Sequence, residues 1–277
     1  MSLLFLLLIF IFGTAVGSFL GVVVDRINSK EPIWKGRSHC DHCRHKLHAG
    51  DLIPLLSFFL LQRKCRYCHK ELSRFYPLIE ACTGVAYVAA GYVVFQQYGY
   101  FVGQTIYQLL VLYYFALIGA LLAIFFADLR YGIIPFKIVA FALGATILWD
   151  VLCRLLPITY HMQIFTEQPG IINILLSAIG AASFFFLLFA LTRGRGMGFG
   201  DVVYAFLMGF TLGFPRVILG LYIAFVTGAV ISLVLVALKK KKIKGGTIPF
   251  GPFLVFGTIV SLLWGNVLIQ YLLRFLS

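Results

Sequence analysis

Eight stretches of this chain are almost continuously apolar, and polar segments separate them. They run over 3–24, 78–96, 104–127, 133–156, 171–192, 201–214, 217–238 and 248–273. A helix needs about 20 mostly apolar residues to cross the hydrocarbon of a bilayer. The pattern therefore predicts an all-α polytopic membrane protein with about eight transmembrane helices. The sixth stretch is short, and Gly213-Phe214-Pro215 ends it abruptly. It is expected to tilt, to thin the bilayer locally, or to pair with the seventh as a hairpin. The first stretch has no basic segment before it and no Ala-x-Ala site after it, and Asp25-Arg26 follows its apolar run. It reads as an uncleaved first span rather than a signal peptide. The expected organisation is a first span (1–24), a polar insert (25–77) and a helical bundle (78–277).

Composition agrees with this pattern. The chain has 277 residues, of which 61% are hydrophobic and 12% charged. Soluble domains carry about 25% charged residues, so there is too little polar surface here to cover a water-soluble particle. The formal net charge of +13 would suggest nucleic acid in a soluble protein. Its placement suggests otherwise. Twenty of the 23 Lys and Arg residues fall in 25–77, 128–137, 193–200 and 239–244, and only Arg154, Arg216 and Arg274 fall on alternate connections or ends. Basic residues collect on the cytoplasmic side of membrane proteins. The expected topology has both termini outside and the four basic segments in the cytoplasm. This explains the charge without a nucleic-acid partner, and the lipid bilayer is the partner expected instead.

The insert 25–77 contains Cys40-Asp-His-Cys43 and Cys65-Arg-Tyr-Cys68. Two C-x₂-C pairs can complete a tetrahedral Cys₄ site of the kind that holds structural Zn²⁺. The fold class thus includes a cytoplasmic, zinc-ribbon-like insert with Cys40, Cys43, Cys65 and Cys68 as ligands. His39, His42, His45, His48 and His69 lie nearby and are read as loop residues. A closed Cys₄ site leaves no open position for a reacting water, so this metal is expected to be structural. Cys82 and Cys153 fall inside spans, as small packing residues. The stretch Leu52 to Leu61 is apolar and suited to lying on the membrane, where neighbouring cations would meet anionic lipid.

There are ten acidic residues. Asp25, Glu31, Asp41, Asp51 and Glu71 read as loop charges, and for Asp150 either solvation or a pair with Arg154 four residues on is expected. Glu167 falls on the outer side. Glu80 is near the start of the second span. Asp128 ends a long apolar run and Asp201 begins one, directly after Gly198-Phe199-Gly200. Carboxylates at membrane depth are costly and mark function. The basic-residue topology puts both at cytoplasmic span ends, where two acids can share a proton as in an aspartic protease. Gly194 to Gly200 superficially offers a dinucleotide loop, but an apolar span precedes it where that motif needs a strand. Two other classes compete with this reading: a non-catalytic zinc-ribbon membrane scaffold, and an ion-coupled transporter, which would place acids near mid-bilayer.

With these residues in view, the chain resembles the type IV prepilin peptidase family along nearly its whole length. The resemblance rests on Gly17-Ser18-Phe19-Leu20, the two Cys pairs with Ile53-Pro54-Leu55-Leu56-Ser57 between them, and Arg74-Phe75-Tyr76-Pro77-Leu78-Ile79-Glu80. It continues through Asp128 with Ile134-Pro135, Gly198-Phe199-Gly200-Asp201, and Ile248-Pro249-Phe250-Gly251-Pro252. It implies an inner-membrane endopeptidase that removes the basic leader of prepilins or pseudopilins, cutting after a Gly on the cytoplasmic side. It implies Asp128 and Asp201 as the catalytic pair and the four cysteines as zinc ligands. It further implies methylation of the new amino terminus by S-adenosylmethionine, with Glu80 serving that step. Val203 stands where the family often has Lys, Phe136 where an acid or Asn is frequent, and Asp51 where Asn is usual.

Overall fold

The computed structural model describes residues 2–33, 36–40, 42–98, 105–155, 169–194, 196–238 and 248–276. Trp34, Lys35, Asp41, Glu167, Arg195 and the lysines of 239–244 lie outside the described residues. Every regular element among those described is helical: α1 (Leu3–Ser29), a 3₁₀ turn (Ala49–Asp51), α2 (Leu56–Leu60), α3 (Phe75–Tyr98), α4 (Thr105–Tyr131), α5 (Phe136–Leu155), α6 (Ile171–Leu191), α7 (Phe199–Leu212), α8 (Arg216–Ala237) and α9 (Gly251–Leu276). Seven of these are long and apolar enough to cross a membrane, and α7 is a shorter apolar helix. The eight apolar stretches thus appear as eight helices. Their ends differ by a few residues. In α1 the helix continues past Asp25 and Arg26 to Ser29 and closes on Lys30 in the left-handed conformation, so its charged end projects beyond the apolar run.

Two compact units divide the chain, Met1–Ala123 and Ile124–Ser277. In the first, α1 lies along α3. Gly13 and Gly17 face α3 so closely that a methyl group on either would stand 2.8 Å from Gly84 Cα or 2.7 Å from Glu80 Cα. Small residues four apart let helix backbones approach where lipid offers no hydrophobic driving force. Tyr87 of α3 stacks on Phe115 of α4 with ring centroids 4.5 Å apart. Its hydroxyl donates to the Phe115 carbonyl at 2.7 Å. The buried phenol is thereby satisfied, as hydrocarbon surroundings require.

In the second unit the shortest helix is the central one. α7 packs against α5, α6, α8 and α9, and Tyr204, Ala205, Leu207, Met208 and Leu212 are fully enclosed. Its 14 residues rise only about 21 Å, less than the roughly 30 Å of hydrocarbon. Most of its surface meets other helices, and only a strip at Val203, Phe206 and Phe210 is left half-buried, so little of it has to match the lipid. Gly209 permits the closest approach: a side chain there would run into the Ser177 and Ala178 backbone of α6. Gly257 and Gly220 do the same between α9 and α8. The Tyr204 hydroxyl donates to Thr258 of α9 at 2.9 Å. Gly213, at φ 63°, turns the chain from α7 into α8. The Asn173 side chain clasps that turn, accepting from the Phe214 amide at 2.8 Å and donating to the Phe214 carbonyl at 3.2 Å. The Asp150–Arg154 pair is present and bidentate, at 2.8 and 2.9 Å.

Candidate active site and metal centre

The cysteine cluster lies in the first unit. The Sγ atoms of Cys40, Cys43, Cys65 and Cys68 all lie within 4.8 Å of one another, and they form the metal-ligand group found among the described residues. Each pair sits in a tight knuckle, and the two knuckles are near copies displaced by 25 residues. Cys40 N–H donates to the His45 carbonyl and Arg44 N–H to the Cys40 carbonyl; Cys65 N–H donates to Lys70 and His69 N–H to Cys65. Arg44 and His69 both take positive φ, 59° and 56°. The bridges His39–Lys46 and Lys64–Glu71 close the two turns. Zinc at 2.3 Å from four thiolates places the sulfurs about 3.8 Å apart. Cys40 and Cys68 are separated by 3.9 Å, so the donor set fits a tetrahedral zinc. None of the five nearby histidines joins the group; His45 instead stacks on Tyr67 at 3.7 Å.

The thiols differ in their readiness to ionise. Burial opposes the Cys65 thiolate, but the Cys68 and Tyr67 amides and the neighbouring thiols outweigh it and bring Cys65 down to about 7. The Lys70 amide favours the Cys68 thiolate; burial and the other thiols overcome it and push Cys68 up to about 11. Asp51, read from sequence as a loop charge, turns out to tie the two knuckles together. Its carboxylate meets Arg66 at 2.8 Å and accepts from the Tyr67 hydroxyl at 3.0 Å and the His48 amide at 3.1 Å. Burial opposes its charge, but the His48 amide, the Tyr67 hydroxyl and Arg66 together hold its carboxyl below the usual range. No periodicity marks such a residue; only the folded knuckles bring Arg66 and Tyr67 to it.

Glu80 is also in this unit, 7% exposed on α3. It accepts from the Leu55 amide at 2.8 Å and from Ser18 of α1. It therefore ties the insert and α1 to α3.

Asp128 and Asp201 are both in the second unit and both buried, at 6% and 8% exposure. Asp128 is on the last turn of α4 and Asp201 on the first turn of α7. They are close enough for their charges to interact. Asp201 Oδ2 accepts from the Gly198 amide at 3.2 Å, closing the helix start as an N-terminal carboxylate does. Gly200 has Ile134 against it: a Cβ there would lie 2.9 Å from the Ile134 Cβ. This contact docks the segment after Asp128 onto the turn that carries Asp201. Asp128 Oδ2 is enclosed, with the Gly251 amide as its nearby backbone donor and no well-aligned hydrogen bond among the described residues. Gly251, at the start of α9, stands beside it; a Cβ on Gly251 would lie 2.5 Å from Oδ2. Gly251 has no signal of its own in the sequence beyond the Ile248–Pro252 motif. The arrangement is two buried carboxyl groups, one at each polarity of helix end.

The chain is similar to known proteins along most of its length. A family model for the bacterial peptidase A24 N-terminal domain matches residues 11–94, and one for the type IV leader peptidase family matches 115–233, the stretch that holds both aspartates. A prepilin leader peptidase/N-methyltransferase of Aeromonas hydrophila is 28% identical, covering 99% of this chain and 96% of its own length. Proteins of the same description from Burkholderia pseudomallei (30% identical, 92% and 84%) and Bacillus subtilis (27% identical, 96% and 97%) are also similar over most of both chains. No solved structure matches the chain.

Proposed function

The chain belongs to the type IV leader peptidase family, and from that premise we propose that it is a membrane aspartic endopeptidase acting on type IV prepilins or pseudopilins. It removes the short basic leader after a Gly, on the cytoplasmic side of the bacterial inner membrane. The observation that carries the assignment of its residues is that two buried carboxyl groups, Asp128 and Asp201, stand at opposite helix ends close enough for their charges to interact. Asp201 lies where amide N–H groups point and suits the ionised base that takes a proton from water. Asp128 lies at a carbonyl-rich helix end and suits the acid that carries the shared proton. Water attacks the scissile carbonyl carbon while Asp201 takes one of its protons and Asp128 gives its own to the carbonyl oxygen. The tetrahedral species then collapses: its C–N bond breaks, Asp201 returns a proton to the departing amine, and Asp128 recovers its proton from the hydroxyl oxygen.

The clustering of 20 of the 23 basic residues in four segments supports placing both termini outside and the dyad at the cytoplasmic face. The zinc-fitting cysteines form a structural centre in the insert. The relatives' descriptions also support N-methylation of the new amino terminus with S-adenosylmethionine, a step to which the resemblance assigns Glu80. Its contacts with Leu55 and Ser18 make it at the same time a tie between helices and insert.

Purified protein incubated with a prepilin and followed by gel mobility tests this reading. Asp128→Asn and Asp201→Asn should each abolish cleavage while zinc content and folding persist, because an asparagine in place of Asp201 still offers an oxygen to the Gly198 amide. Methylation of a substrate already cleaved should survive both changes. Near-normal cleavage by either variant overturns the assignment.

A further inference from the structure

The insert carries an apolar surface that neither the metal site nor the dyad uses. Leu52, Ile53, Leu56, Phe59 and Leu60 are all exposed, Phe59 at 64% and Leu60 at 71%. They occupy α2 and the turn before it, while Phe58 points inward at 9% exposure. Five large apolar side chains within nine residues form an exposed patch, and such patches mark contact surfaces.

The position of this patch is set by Glu80. Glu80 is the sixth residue of α3, about 7.5 Å along the helix from its first residue. α3 is itself long and apolar enough to span the bilayer. The Leu55 amide hydrogen-bonds to the Glu80 carboxylate at 2.8 Å, so the backbone immediately before α2 is held level with the second turn of a membrane-spanning helix. Leu55 adopts φ 60°, and the chain folds at that point so that α2 begins there. Just beyond α2, Gln62 and Arg63 also take positive φ, 50° and 63°, and turn the chain back toward the second knuckle. Arg63 and Lys64, directly after the patch in sequence, are exposed on that return, and cations there suit anionic headgroups.

We propose that residues 52–60 lie in the lipid interface of the leaflet on the insert's side, as a short in-plane anchor that holds the zinc knuckles against the membrane. Apolar side chains at this depth meet acyl chains instead of water, which favours burial in proportion to their area. The Glu80–Leu55 bond satisfies a backbone group that would otherwise be unpaired near hydrocarbon.

Nitroxide accessibility in the full-length, zinc-loaded protein tests this. Cys82→Ala and Cys153→Ala remove the other free thiols, and bound zinc protects the four ligands from labelling. Leu60→Cys and Lys46→Cys are labelled separately, in nanodiscs containing phosphatidylglycerol. At position 60, collisions with oxygen should exceed those with a water-soluble nickel complex; at position 46 the ratio should reverse. Equal access of the nickel complex at both positions overturns the proposal. So does exclusion of both relaxants at position 60, which would mean that protein, such as a second copy of this chain, covers the patch. If Leu60→Cys loses zinc, Phe59→Cys replaces it, with the same two outcomes.

Discussion

Gly251→Ala separates the proposed catalytic use of Asp128 from its mere burial. The Cβ added at Gly251 would stand 2.5 Å from Asp128 Oδ2, 3.0 Å from its Cγ and 3.3 Å from its Cβ. Ordinary non-bonded contact begins near 3.5 Å, so the carboxyl group or the start of α9 must move by about 1 Å. Misplacing a reacting group by that distance costs on the order of 10²-fold in rate, or about 2.7 kcal/mol of transition-state stabilisation. The stability change should be smaller: overpacking costs roughly 1–3 kcal/mol, and alanine returns up to about 1 kcal/mol in helix propensity. The assay is kcat/KM for leader removal from a purified prepilin, measured beside zinc content and thermal unfolding. Gly144→Ala, on α5 with nothing within 4 Å, is the control and should cleave normally. A Gly251→Ala enzyme that is folded and cleaves within a few-fold of the parent would refute the placement of Asp128 in the reaction.

Other expectations follow from the same structure. Cys40→Ser should lower zinc content and loosen the insert, measured by metal analysis and limited proteolysis, because metal binding and folding are coupled. Zinc affinity, measured by chelator competition, should fall as pH drops, and more steeply below about 7, where Cys65 joins Cys68 in holding a proton that the metal must displace. The sign follows from thiolate being the bound form: metal-derived stability is present at higher pH and lost on acidification. Gly209→Ala should weaken the α6–α7 contact by roughly 1–3 kcal/mol, since the new methyl meets backbone that cannot rotate away; an unchanged unfolding midpoint would contradict that packing. Cysteine labelling in intact cells should place positions 137 and 46 on the cytoplasmic side and position 216 outside; agreement of all three on one side would overturn the topology.

The helices themselves were legible in the chain because the bilayer makes them a local matter. Every backbone group in hydrocarbon must be satisfied within its own segment, so each apolar stretch declared a helix, to within a few residues at its ends. The paired cysteines and the acids at span ends were equally legible, since ligand spacing and charge at membrane depth are properties of short stretches. Helix partners were not. That α1 lies on α3 depends on Gly13 and Gly17 meeting Gly84 and Glu80, and a glycine in a sequence does not say which backbone approaches it. The short sixth stretch is too short to span on its own; the tertiary structure made it the centre of its unit, because most of its surface packs on four other helices and only a strip at Val203, Phe206 and Phe210 stays half-buried. Asp51 looked like a solvated charge until folding brought Arg66 and Tyr67 to it. Gly251 acquired meaning only when α9 was set beside Asp128. Identity and depth are written locally, whereas close approach between distant segments depends on shape on both sides and exists only once the helices have packed.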